Sequence, residues 1–184
     1  MQELSLNILD IAENSVKAGA LLISILLEYI DSKTLILSIE DNGIGMNQES
    51  VNKVIDPFYT SRTTRKIGLG IPFLKMAAEM TGGGFSIEST LNVGTSVKAT
   101  FLIDSIDMIP IGNIGETLSA LISTNTEIDF IYTIRCNAKE FILDTRELKE
   151  IMGGVSLSNA EVTVFIREYT NEHTQNILDG DEPE

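Results

Sequence analysis

The chain has 184 residues, 43% of them hydrophobic, which suits one domain with a real core, or one domain and a small appendage. Thirteen Lys and Arg against 27 Asp and Glu leave a net charge of -14, which excludes a nucleic-acid backbone or an anionic membrane surface as the main partner. Cys136 is the single cysteine, "MQELSLN" has no positive n-region, and no apolar run reaches the roughly 20 residues that span a bilayer, so the expected setting is the reducing cytoplasm.

Residues 3–18 predict a helix. Ile8, Ala12 and Val16 share one side with Leu4 and Ile11 nearby, and Gly19 ends it. At ~100° per residue, Glu3, Asn7, Asp10, Asn14 and Lys17 form one polar stripe on the other side. Such a stripe is ordinarily a solvated face. Its amide, carboxylate and amine groups can also converge on one ligand, with oxygen for a hard cation and an ammonium for phosphate.

Residues 21–30 and 34–41 predict two strands joined by the turn "DSK". The second runs into "DNGIGM", residues 41–46. A surface turn at Asn42-Gly43 explains neither a carboxylate at the strand's exit nor a second glycine two residues on. A short helix over 47–55 follows, with Asn47 as N-cap and Pro57 just past its end.

Residues 59–68 predict a polar loop. Within it "TSRTTRK" carries Arg62, Arg65 and Lys66 in an otherwise acidic chain. With few apolar anchors and three like charges, this loop is expected to be mobile until an anion binds. It leads through Gly68, Leu69 and Gly70 into a helix over about 69–81, with Pro72 in the first turn. A basic loop entering a helix N-terminus can clamp an anion with free N–H groups and the helix dipole. Strands over about 84–90 and 95–103 close the unit. This order of elements predicts an α+β sandwich with helices on one sheet face.

Residues 104–112 read as a linker. A helix (113–124), strands (127–135 and 138–143), a helix (145–152) and a last strand (160–168) then predict a small second α+β unit over 113–170. It carries no recognised motif, and extra packing or a homodimer surface is its expected role. Residues 171–184 read as an acidic, disordered tail. The one histidine, His173, falls there and is expected to be exposed, without a rigid scaffold, and not a phosphoacceptor. There is no P-loop, no dinucleotide fingerprint and no Ser-His-Asp set.

The motifs over residues 1–103 resemble, in order, those of the GHKL superfamily, the ATP-binding fold of histidine kinases, DNA gyrase and the MutL mismatch-repair proteins. "NILDIAENSVKAGA" is similar to the N box, "DNGIGM" to the G1 box, "DPFYTSR" to the F box, "GLGI" to the G2 box and "VGTSVKATF" to the final strand pair. The resemblance implies a mixed sheet in a Bergerat-type sandwich that binds ATP and Mg²⁺. It implies that Asp41 accepts from the adenine amino group with Thr95 in support, and that Gly43 and Gly45 let the backbone approach the nucleotide. It implies that Asn14 ligates Mg²⁺, and that Lys17, Arg62, Arg65, Lys66, Gly68, Leu69 and Gly70 surround the phosphates.

Asp10 stands where the gyrase-like branch has a catalytic Glu, and it is one methylene shorter. The helix that carries the N box is predicted to begin at residue 3, so a phosphoacceptor hairpin before it is not expected. Three functions fit the resemblance: a stand-alone protein kinase acting on a separate partner protein, like the anti-sigma serine kinases; an ATP-hydrolysing switch; or a non-catalytic ATP sensor.

Overall fold

A computed structural model describes residues 3–56 and 69–179. The expected loop at 59–68, with Arg62, Arg65, Lys66 and Gly68, lies outside them.

The N-terminal half follows the sequence expectation. Helix α1 (Leu4–Lys17) leads to strands β1 (Leu22–Asp31) and β2 (Thr34–Asp41), helix α2 (Gln48–Ile55), helix α3 (Gly70–Met80) and strands β3 (Gly84–Thr90) and β4 (Gly94–Leu102). Helix α4 (Ile114–Thr124), strands β5 (Asp129–Cys136) and β6 (Lys139–Asp144) and helices α5 (Thr145–Ile151) and α6 (Ala160–Leu178) follow among the described residues. The six strands form one sheet in the order β3-β4-β2-β1-β5-β6. All neighbours are antiparallel except β1 and β5, which run parallel, so the sheet is mixed.

Hydrophobic burial follows the pleat. Ile23, Ile25 and Leu27 of β1 lie in one core with Leu35, Leu37 and Ile39 of β2, Val97, Ala99 and Phe101 of β4, and Phe130, Tyr132 and Ile134 of β5. These alternate positions share one face, because side chains two apart along a strand point the same way. Leu4, Ile8, Leu74, Leu118 and Ile166 from the helices fill that core. Ser24, Ser38, Lys98 and Thr133 occupy the opposite, open face, as a largely antiparallel sheet with one wet side allows. No helix among the described residues is long and apolar enough to cross a membrane.

The C-terminal third departs from expectation. Residues 160–168, read as a strand, are helical, and the helix runs on through residues 171–178, read as disordered tail. The local "EVTVF" run carries β-branched residues that favour a strand. Asn159 nevertheless caps a helix start by accepting from Glu161 N–H, while Val162, Ile166, Thr170, Thr174 and Ile177 lie buried at helical spacing. Tertiary burial outweighs local propensity here.

Residues 113–170, expected to form a small unit of their own, place β5 and β6 in the same sheet as β1 to β4. The expected linker also makes specific contacts with α1, whose N-cap Glu3 offers no side-chain cap bond. The carbonyls of Pro110 and Ile111 accept from Leu4 N–H at 2.9 Å and Ser5 N–H at 2.8 Å. They satisfy two of the donors that every helix start leaves over.

Candidate functional site

Helix α1 carries the first group of residues. Its polar stripe is not a uniformly solvated face, since Asn7 is fully buried and donates from Nδ2 to the Glu3 carbonyl. Asn14 is half-buried. Lys17 pairs across one turn with Glu13 at 3.1 Å, and both side chains are exposed. An exposed pair of this kind contributes roughly 0.3–0.5 kcal/mol, so Lys17 can leave it for a stronger anion at little cost.

Asp10 lies against the start of α3. A Cβ built on Gly70 would stand 2.6 Å from the Asp10 Cβ and 3.2 Å from its Oδ2, so a glycine is needed for this approach. Although Asp10 is exposed, desolvation at this contact pushes its carboxyl above the ordinary range. Glu13 adds to the shift and Lys17 opposes it. Its raised folded-state pKa makes folding favour the protonated form. The resulting penalty is absent below the ordinary carboxylate range, about pH 4, and grows as pH rises through it. Asp10→Asn is therefore expected to raise the thermal midpoint at pH 7, with a gain that shrinks toward pH 4. A gain independent of pH would contradict this electrostatic origin. Among the described residues no side chain caps α3, whose N-cap residue is Leu69.

Asp41 ends β2 on the core-facing side of the sheet, and both its carboxylate oxygens are occupied. Ser15 of α1 donates to Oδ2 at 2.7 Å, and Gly43 N–H donates to Oδ1 at 2.9 Å. These bonds fix the carboxylate's rotamer and leave one lone-pair direction on each oxygen. Thr95 is the cross-strand partner of Asp41 on β4, and Ser89 is the partner of Thr95 on β3. The three polar side chains thus form a row across the end of the sheet. Asn42 plays a separate part, accepting from Leu21 N–H and Leu22 N–H at the start of β1.

The glycines of this corner have a structural reason that sequence reading assigned to a ligand. Gly45 has φ +61°, and a Cβ there would lie 2.0 Å from the Thr90 carbonyl oxygen. A Cβ on Gly43 would meet the Ala18 carbonyl oxygen at 2.9 Å. The loop after β2 therefore packs backbone to backbone against the β3–β4 hairpin and the end of α1, and Asn92 N–H donates to the Ile44 carbonyl at 2.7 Å.

Three participants were not found from the sequence: Ser15, Ser89 and Gly94. Ser15 did leave a signal. It falls on the wheel between Ile8 and Ile11, and a hydroxyl on an apolar face needs a buried partner.

His173 contradicts its expected exposure on a floppy tail. It is half-buried on α6, with its ring 4.6 Å from that of Phe141 and 4.1 Å from that of Tyr169, and its Nδ1 is 2.9 Å from the Tyr169 carbonyl. It packs against β6, three strands from β2, or about 14 Å across the sheet.

Residues 1–105 match the family described as histidine kinase-, DNA gyrase B-, and HSP90-like ATPase. The chain is 35% identical over 102 residues to sporulation kinase D of Bacillus subtilis (strain 168), a match covering 53% of this chain and 19% of that protein. It is 41% identical over 66 residues to the sensor protein RprX of Bacteroides fragilis (strain YCH46), covering 33% of this chain and 13% of that one. The matches thus span less than a fifth of these relatives. Among solved structures, the N-terminal domain of a DNA repair protein shares the fold with a TM-score of 0.52 and 16% identity, over 78% of this chain and 53% of that chain.

Proposed function

Because the chain belongs to the histidine kinase-, DNA gyrase B- and HSP90-like ATPase family, we propose that it binds Mg-ATP at the end of β2 and passes the terminal phosphate to a separate protein. The observation that carries the reading is the Asp41 carboxylate, held at both oxygens by Ser15 and Gly43 N–H. A half-buried acceptor fixed in this way suits an exocyclic amine, and adenine supplies one. Thr95, its cross-strand neighbour, supports the same contact.

The phosphates belong at the start of α3, beside Leu69 and Gly70, where no described side chain caps the helix and backbone donors and the helix dipole favour negative charge. Arg62, Arg65, Lys66 and Gly68 precede this helix start in the chain and supply its cations.

The Asn14 amide fits Mg²⁺. It offers a hard oxygen on a half-buried surface, and it has no hydrogen-bond partner among the described residues. The described residues contain no His, Cys, Asp and Glu cluster able to cage a metal. A single amide suits a cation that keeps several waters and takes its other ligands from substrate phosphates. When bound, the ion neutralises charge on the phosphates. Asn14→Ala is expected to lower Mg-ATP affinity to the level the unaltered protein shows in chelator, with the fold intact. Equal affinities for the unaltered protein with Mg²⁺ and with chelator would contradict the role of Asn14.

Phosphoryl transfer needs mainly positioning and charge stabilisation from the protein. His173, packed among rings at the far side of the sheet, is badly placed as an acceptor. This supports an acceptor on another molecule. Water is the competing acceptor, and the raised Asp10 carboxyl favours that second reading because it is the better proton acceptor once ionised. Incubation with γ-labelled ATP, alone and with candidate partner proteins, separates the two. Label on a second protein supports the kinase. Free phosphate alone supports hydrolysis, and neither product would support a non-catalytic nucleotide sensor.

A further inference from the structure

The row of polar side chains at the end of the sheet has a defined direction of hydrogen bonding. Ser89 Oγ touches three groups: Met46 N–H donates to it at 2.7 Å, the Gly94 carbonyl lies at 3.0 Å and Thr95 Oγ1 at 2.9 Å. A serine hydroxyl has one proton and two lone pairs. Met46 N–H takes one lone pair. The Gly94 carbonyl can only accept, so it takes the proton. The remaining lone pair accepts from the Thr95 hydroxyl. Only this assignment uses all three contacts, and it commits the Thr95 proton to Ser89.

Thr95 therefore shows only lone pairs to the space beside Asp41. Asp41 also shows only acceptors, its two donors among the described residues being Ser15 and Gly43 N–H. As cross-strand partners, the two residues stand side by side on one face.

We propose that Ser89 is a specificity-determining positioning residue: by holding the Thr95 proton, it makes the site accept a 6-amino purine and reject a 6-oxo purine. The inference rests on the nucleotide reading above. An amino group brings two N–H donors to two adjacent acceptors. A 6-oxo group brings an oxygen against the lone pairs of Thr95 and finds no donor there. An unpaired, desolvated acceptor weakens binding roughly tenfold or more. Nothing in Ser89 itself needs to touch the base.

The test compares the affinities of ATP and inosine triphosphate, which differ at the 6-position, by calorimetry with Mg²⁺. The unaltered protein should favour ATP. Ser89→Ala releases the Thr95 proton, which can then turn to a 6-oxo oxygen. Its ATP-to-ITP preference should fall roughly tenfold, chiefly through tighter ITP binding. Ser89→Thr keeps the hydroxyl and should restore the preference. Thr95→Val removes the acceptor, and should lower the preference through weaker ATP binding without any gain for ITP. A merely structural Ser89 would change both affinities together and leave their ratio alone.

An unaltered ratio in Ser89→Ala, with ATP affinity still dependent on Asp41, would overturn the role of Ser89 and spare the nucleotide reading. Equal binding of ATP and ITP by the unaltered protein would overturn both. Should Ser89→Ala not fold, Thr95→Val decides, and a wild-type ratio in that variant overturns the proposal.

Discussion

Gly94→Ala is expected to unfold this protein at markedly lower temperature and to remove nucleotide binding with it. Gly94 has φ +140°, a conformation that side-chain-bearing residues rarely adopt. A Cβ there would stand 1.9 Å from the Asp41 carbonyl oxygen and 2.9 Å from its carbonyl carbon. Both are backbone atoms, so no rotamer change relieves the clash. The first residue of β4 and the last of β2 would have to separate at the point where Asp41 is positioned. Backbone strain of about 1–3 kcal/mol adds to overpacking of about 1–3 kcal/mol. At roughly 2–4 °C per kcal/mol for a chain of this length, the thermal midpoint should drop by about 10 °C. Gly84→Ala is the matched control, because its Cβ would meet nothing within 4 Å. Thermal unfolding followed by circular dichroism should separate the two variants. Equal midpoints would contradict the close backbone approach.

Much of the N-terminal fold was legible because its signals are local. Runs rich in Ile and Leu on either side of "DSK" give β1 and β2, and the Asn47 cap and the Pro72 position bound α2 and α3. Thr95, 54 residues away on β4, was named beside Asp41 only through the family resemblance, and Ser15, 26 residues away on α1, was harder to read because its contact is set by the fold. Gly45 was visible as a glycine that mattered. Its cause, the Thr90 carbonyl, requires knowing that the β3–β4 hairpin folds over the loop. Helix α6 was misread because its β-branched residues favour a strand locally, whereas its burial against α4 and β6 is set by distant parts of the chain. The parallel pairing of β1 with β5 was likewise invisible. It joins residues about 107 positions apart, and sequence periodicity carries no information on which strands become neighbours.

Asp41→Asn is the second variant with a large expected effect, and this one should leave the fold alone. Asparagine keeps an oxygen that can accept from Gly43 N–H, and the Ser15 hydroxyl can turn to accept from the new amide instead of donating to Oδ2. The local contacts survive, so the thermal midpoint of the nucleotide-free protein should stay close to that of the unaltered protein. The pattern shown to a base does not survive. A neutral amide replaces a charged acceptor, and its N–H₂ can oppose the adenine amino group. Hydrogen bonds to charged groups contribute about 1.5–3 kcal/mol, so ATP affinity should fall by about tenfold to a hundredfold.

Calorimetric titration of Mg-ATP into the unaltered protein and into Asp41→Asn decides whether this carboxylate reads the base. One saturable site is expected in the unaltered protein and at least a tenfold weaker Kd in the variant, with matching thermal midpoints for the two nucleotide-free proteins. Equal affinity in both would contradict this, because the carboxylate held by Ser15 and Gly43 would then not be the group that reads the base.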